Sequence, residues 1–274
     1  MIASRLNDLG KSSCSRFEQT GDMDDISEAI RYLQYAVLLT PDGDPQLPNR
    51  LNNLGITIWR RFEHTEDMAD IIEAIRHQQH AVESTPDGHA DLPAFLNNLG
   101  ISLSRRFECT GDMDDISEAI RHQQKAVQST PEGHAELSEQ LDNLGISLLS
   151  RFESTGNMDD IAKAIQCQQK AVRLTSDEDA GLPRRLTNLG NSFWGRFEHT
   201  GDEDDIVEAI QLQRRAVQLT QDGHPGFPFY LNNIGISLSS RFERTGDLNE
   251  ISEAIRYQQQ VVQLRGCCFA TLAR

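Results

Sequence analysis

An all-α solenoid of six helix-turn-helix repeats is the fold class this sequence predicts, and three observations predict it. Leu6, Leu51, Leu96, Leu141, Leu186 and Leu231 open near copies of one 45-residue unit in a chain of 274 residues. A period of that length marks a repeat array rather than one or two globular domains. Within the third copy, Leu96, Leu99, Leu103 and Phe107 recur at helical spacing, and Ile116, Ala119, Ile120, Gln123, Ala126 and Val127 form a second helical stripe. Thr110-Gly111-Asp112 stands between the stripes and Pro131-Glu132-Gly133-His134 follows the second, residue types that close one helix and open the next. A lone helix pair cannot bury its apolar faces, so pairs must stack on a shared core, with one concave and one convex side.

The array occupies 1-265, with repeats at 6-50, 51-95, 96-140, 141-185, 186-230 and 231-265, and 266-274 reads as a short, truncated C-terminal tail. In four repeats the first helix, helix A, opens near a proline three residues before its leucine, at Pro48, Pro93, Pro183 and Pro228, with Ser138 in that slot of the fourth repeat. Proline suits a first turn, where no amide donor is needed. Gly111 fits a left-handed C-cap, and Asp112 with Asp115 reads as an N-cap followed by an acid in the first turn of helix B. Glycine inside helix A costs about 1 kcal/mol relative to alanine, yet it recurs as Gly10, Gly55, Gly100, Gly145, Gly190 and Gly235. Close approach of helix B is expected there, small against small, through Ala29, Ala74, Ala119, Ala164, Ala209 and Ala254. Gly10-Lys11-Ser12 spells the end of a phosphate loop, but Arg5 stands where the first glycine belongs.

Composition narrows the function. Lys+Arg 26 against Asp+Glu 42 gives a formal net charge of −16, which repels nucleic-acid backbones and anionic membranes. No apolar run is long enough for a membrane span, and residues 1-6 lack a signal-peptide core, so the expected location is cytoplasmic. Cys14, Cys109, Cys167, Cys267 and Cys268 are odd in number and out of phase with the repeat, unlike a disulfide or metal framework. Neither metal nor cofactor is expected. The Asp-x-Asp-Asp at 112-115 lacks a twelve-residue calcium loop, and His77 and His80 have only His122 as a counterpart in the third repeat.

Leu96, Leu99-Gly100, Leu103, Ala119, Ala126 and Pro131 follow the order and spacing of the tetratricopeptide repeat, and the chain resembles that family over nearly its whole length. It departs in about seven extra residues between Leu103 and Ala119, in Gln123 where an aromatic is usual, and in Ser176, Gln221 and Gly266 at the proline slot. The finer pattern is similar to arrays of basidiomycete fungi that often accompany a caspase-like CHAT peptidase or a nucleotide-binding module. The resemblance implies a right-handed superhelix whose inner surface is lined by helix A and binds a protein or peptide. It also implies an alternative, a regulatory or sensor segment of an enzyme whose catalytic domain lies outside these residues. The chain itself is expected to be no enzyme.

Candidate groove residues stand beside the Leu-Gly pair. Asp8, Asn53, Asn98, Asn143, Asn188 and Asn233 form one row, and Asn7, Asn52, Asn97 and Asn232 a second, interrupted by Asp142 and Thr187. Carboxamides offer donors and an acceptor to an extended peptide backbone, although they also suit bonds between neighbouring helices. Trp59 and Trp194 occupy a variable slot and read either as partner anchors or as inter-repeat packing. Arg60-Arg61 and Arg105-Arg106 suggest an acidic ligand tail, whereas recurrence of Arg16, Arg61, Arg106, Arg151, Arg196 and Arg241 favours a repeat-to-repeat salt bridge. Recognisable polar capping repeats are missing, so self-association through an uncapped C-terminal face is expected.

Overall fold

The computed structural model describes residues 2–221 and 223–272, with side chains described as far as residue 264. All regular structure among these residues is helical. The helices are α1 (Ile2–Thr20), α2 (Met23–Leu38), α3 (Leu47–Thr65), α4 (Met68–Glu83), α5 (Leu92–Thr110), α6 (Met113–Ser129), α7 (Leu137–Thr155), α8 (Met158–Leu174), α9 (Leu182–Thr200), α10 (Glu203–Leu219), α11 (Phe227–Thr245) and α12 (Leu248–Leu272). They fall into two compact units, Met1–Glu136 and Leu137–Arg274, each a stack of three antiparallel pairs. Odd-numbered helices are helix A of their repeat and even-numbered ones helix B.

Local chemistry fixes the helix ends. Before helix A, the Asp44 carboxylate accepts from the Gln46 amide at 2.8 Å, and His89, His134 and His224 accept from the amide two residues on through Nδ1. Proline follows at the first turn of α3, α5, α9 and α11. At the far end Gly111 turns left-handed at φ 72°, its amide donating to the Phe107 carbonyl at 2.7 Å. Asp22, Asp67, Asp112, Asn157 and Asp202 then cap helix B, each side chain accepting from the backbone two residues later, which satisfies a donor that the helix cannot.

The helix A glycines mark the crossing of the two helices of a pair. A Cβ on Gly100 would stand 2.5 Å from Gln123 Cγ and 3.1 Å from the Ala119 carbonyl oxygen. Gly55 meets Gln78 and the Ala74 carbonyl in the same way. The alanine expected there is present, but its backbone carbonyl makes the approach, and the glutamine lies closer still. Gln78, Gln123, Gln168 and Gln213 are almost wholly buried, so the slot where the tetratricopeptide pattern prefers an aromatic packs flat over glycine instead.

Between pairs the joint is a knob in a socket. Val37 packs against the cluster of Leu47 and Leu51 on α3, Val82 against that of Leu92 and Leu96 on α5, and Val172 against that of Leu182 and Leu186 on α9. Phe17, Phe62 and Phe197 are no more than 2% exposed, and each contributes about 1.5–3 kcal/mol by burial. Within each unit successive first helices touch, as do α1 with α3 and α9 with α11, while successive second helices do not. The first helices therefore gather on the inner side of each stack and the second helices fan out.

Candidate partner-binding face

The inner face of each unit carries the residues of helix A that neither pair with helix B nor form the knob-and-socket joint. Most of the candidate asparagines connect neighbouring helices there. Asn53 Nδ2 donates to Asn7 Oδ1 at 3.1 Å, and Asn98 Nδ2 donates to Asn52 Oδ1 at 3.2 Å. In the second unit Asn188 Nδ2 reaches both carboxylate oxygens of Asp142, at 3.2 and 3.0 Å. The two rows seen in the sequence are thus the two halves of one repeated bond. Asn97 and Asn143 are buried and hold interactions of their own. In the next pair of slots the bond is not made: the Thr187 hydroxyl donates to the Pro183 carbonyl at 2.9 Å, and Asn233 turns back to the Phe229 carbonyl at 2.7 Å. Asn232 is exposed.

Asp142 is the exception in its row. It is fully buried, and burial raises its carboxyl above the ordinary range against the opposing pull of Arg184 and Asn188. Arg184 Nη1 lies 3.6 Å away. No other repeat has an arginine in that slot, where Ser4, Asn49, Ala94, Glu139 and Phe229 stand, so the cation accompanies the buried acid.

The tryptophans sit at joints. Trp59 packs on the cluster of Cys14, Phe17 and Ile58, and Trp194 Nε1 donates to Ser240 Oγ of the next first helix at 3.0 Å.

The recurring arginines correct one expectation. Arg16, Arg61, Arg106, Arg151 and Arg196 each grip an aspartate of helix B in their own repeat, namely Asp25, Asp70, Asp115, Asp160 and Asp205, with Nε to Oδ2 distances of 2.7 to 2.8 Å. Arg241 meets Glu250 at 2.8 Å. The bond closes a pair instead of bridging repeats, because the aspartate expected as a mere first-turn acid projects back onto the end of helix A. The preceding arginine makes the bridge between repeats: Arg60 pairs with Glu18, and Arg105 Nε with Glu63 at 2.8 Å. Both basic pairs are therefore engaged internally, which removes the ground for reading them as a clamp for an acidic tail.

What remains open on the inner face is a set of slots, one of them isoleucine in four of the six repeats and the other different in each. In the first unit these are Lys11, Ile56 and Ile101. In the second they are Ile146, Asn191 and Ile236, beside Glu139, Arg184 and Phe229. A cleft of about 200 Å³ between α1 and α3 is lined by Lys11, Cys14, Ser15, Glu18, Asn53 and Ile56, among others. No group of three His, Cys, Asp or Glu among the described residues is arranged to hold a metal ion. His77 and His122 lie beside Glu73 and Glu118, at 3.5 and 3.4 Å, and burial lowers the basicity of both imidazoles.

Comparison with solved structures defines the class: the fold is that of the tetratricopeptide-repeat proteins. The chain is similar to pilF of Pseudomonas aeruginosa, at 19% identity and a TM-score of 0.59, covering 96% of this chain and 93% of that one. It is similar to the C-terminal part of a TPR repeat-containing protein of Cytophaga hutchinsonii, at 16% identity and a TM-score of 0.57 over 96% and 80% of the two chains. YrrB, a TPR protein with an unusual peptide-binding site, matches at 14% identity and a TM-score of 0.50, over 85% of this chain and 97% of its own. No family model matches the sequence, and no curated protein matches it.

Proposed function

We propose that this chain is a protein-interaction scaffold that holds an extended peptide or protein segment along the first-helix face of its units. The observation that carries this reading is the division of labour on helix A. Residues that close pairs and joints repeat almost unchanged, while the slot held by Ser4, Asn49, Ala94, Glu139, Arg184 and Phe229 varies in charge, size and polarity, and the slot beside it alternates isoleucine with Lys11 and Asn191. Repeats identical at every position could not distinguish one stretch of ligand from another, whereas Lys11 differs from Ile56 and Ile101, and Ser4, Asn49 and Ala94 differ from one another, along one face. Asn53 spends one amide hydrogen on Asn7, and a carboxamide has a second hydrogen and an acceptor oxygen with which to meet a peptide backbone. YrrB, which has a peptide-binding site on the same fold, supports the reading by analogy. The cytoplasm is the proposed location, where the free thiols of Cys14, Cys109 and Cys167 stay reduced. No described helix is long and apolar enough to cross a membrane.

The test is a selection of displayed peptides on the full chain, followed by affinity measurement with fluorescently labelled winners. Ile56→Glu with Ile101→Glu is expected to weaken binding at least about tenfold, or 1.4 kcal/mol, whereas Gln34→Glu with Gln79→Glu on exposed positions of helix B leaves it within about twofold. Equal loss in both variants, or no enriched peptide, overturns the reading.

A further inference from the structure

The geometry points to Asn191 as a specificity-determining residue of the second unit, its amide hydrogens turned toward the bound segment by Gln213 so that they select an oxygen of the peptide. The inference rests on the scaffold reading above and names the chemistry at one of its slots. Asn191 follows Gly190 on α9, in the slot that holds Lys11, Ile56, Ile101, Ile146 and Ile236 in the other repeats. Gln213, 1% exposed, comes up from α10 over Gly190, where a Cβ would stand 2.9 Å from Gln213 Cγ. Its Nε2 donates to Asn191 Oδ1 at 3.1 Å. The oxygen and nitrogen of a carboxamide lie on opposite arms of one planar group, so an oxygen held from within turns the two N–H donors the other way. Asn191 is partly exposed, and its Nδ2 therefore meets what lies along the first-helix face.

The helix pair does not require this bond. Gln168 lies over Gly145 in the same way and is fully buried, yet both polar atoms of its carboxamide lack a hydrogen-bond partner in a repeat whose slot holds Ile146. Gln78 and Gln123 likewise keep an unpartnered oxygen in the repeats of Ile56 and Ile101. The fold thus accepts isoleucine at the slot, and what asparagine adds in the fifth repeat is a donor held in one orientation. A donor already fixed loses less rotamer freedom on binding than a free one. Arg184 and Asn188, on the same stripe of α9, are directed at Asp142 instead, at 3.6 Å and at 3.0 and 3.2 Å. The second unit therefore asks for an apolar group beside Ile146 and an oxygen beside Asn191, which a backbone carbonyl or a side-chain carboxamide or carboxylate of the peptide supplies.

The experiment pans a random displayed peptide library on the full chain and, in parallel, on Asn191→Ile, which carries the residue of four other repeats. Among peptides enriched on wild type, a class is expected whose affinity falls at least about fivefold on Asn191→Ile, the worth of one net hydrogen bond. Asn191→Asp still accepts from Gln213 but turns an oxygen outward, and it should weaken that class at least as much. Gln213→Leu, the residue that Leu33 provides over Gly10, should weaken it at least about threefold. In the Asn191→Ile background the same change should do nothing further, a coupling that a merely structural role for Gln213 would not produce. Far-UV circular dichroism checks folding, and Gln213→Met, unbranched and without a donor, replaces Gln213→Leu if that variant loses helicity. Alanine scanning of the peptides separates the two sources of oxygen: one replacement that removes the dependence on Asn191 identifies a side chain, and none a backbone carbonyl. Peptides enriched on wild type that all bind Asn191→Ile equally well overturn this inference and leave the scaffold reading standing. Undiminished affinity in Asn191→Asp or Gln213→Leu overturns it too, and failure to enrich any peptide on wild type overturns both.

Discussion

Arg106 on α5 and Asp115 on α6 form a two-point ion pair, with Arg106 Nε donating to Asp115 Oδ2 at 2.7 Å and Nη2 to the other oxygen. The aspartate is 5% exposed, and the guanidinium is more strongly basic than usual because of its hydrogen bonds to that carboxylate. Removing the cation leaves a desolvated acid without its charge-assisted bonds. Arg106→Ala is expected to destabilise the chain by about 2 kcal/mol, within the range for lost hydrogen bonds to charged groups. Arg106→Lys should recover only part of that, since an ammonium cannot supply the planar fork. Urea denaturation of the three proteins measures this, and equal stability of the alanine variant and wild type would sink it.

Asp142 carries the opposite sign. Its carboxyl is raised above the ordinary 3.8 by burial, so the folded state holds the proton more tightly than the unfolded chain. Its contribution to stability is therefore greatest below the unfolded value and declines as pH rises through the folded one. Asp142→Asn restores the residue found at Asn7, Asn52, Asn97 and Asn232 and removes a buried charge. The expected gain is about 0.5–2 kcal/mol at neutral pH, in the range of consensus replacements, shrinking as the solution is acidified below the folded value. Arg184 loses its partner at small cost, being 40% exposed. Thermal melts of both proteins across acid and neutral pH test the slope, and a variant less stable than wild type at neutral pH would contradict it.

These two residues also show what could be read from the sequence and what could not. Period, helix stripes, caps and prolines are local signals, and each lies where its chemistry places it. The Arg106–Asp115 bond spans nine residues and a turn, and arginine recurs at its first position in every repeat. Recurrence alone cannot say whether a pair closes one repeat or links two, because both arrangements repeat with the same period. The asparagine rows posed the same ambiguity, which the Asn53–Asn7 and Asn98–Asn52 bonds resolve in favour of the joint. Asp142 was legible as a departure from Asn7, Asn52, Asn97 and Asn232, but its pairing with Arg184 was not, because Arg184 stands in a slot that differs in every repeat.

Gly100 sits where the two helices of a pair press hardest. Alanine is favoured over glycine in a helix by about 1 kcal/mol, but its methyl would lie 2.5 Å from Gln123 Cγ and 3.1 Å from a backbone oxygen that cannot rotate away. The clash should win, so Gly100→Ala is expected to destabilise by about 1–3 kcal/mol. Shortening the glutamine as well, in Gly100→Ala/Gln123→Ala, removes the nearer contact, and the pair should be non-additive. A double-mutant cycle by chemical denaturation reads the coupling, and simple additivity would show that the two residues do not press on each other.

Glu66 occupies the left-handed turn between α3 and α4 at φ 55°, where Gly21, Gly111, Gly156, Gly201 and Gly246 stand in the other repeats. A side chain in this conformation costs about 1–2 kcal/mol, whereas glycine loses more freedom on folding, by roughly 0.5–1 kcal/mol. Glu66→Gly should therefore stabilise the chain by about 0.5–1 kcal/mol, and Glu66→Asn by less, because asparagine tolerates the region without being free of strain. Glutamate is exposed here, so no buried contact is lost in either change. Thermal melts that rank the three proteins as glycine above asparagine above glutamate would support the strain argument. If glycine instead lowers the midpoint, the entropy of the unfolded chain outweighs the strained turn.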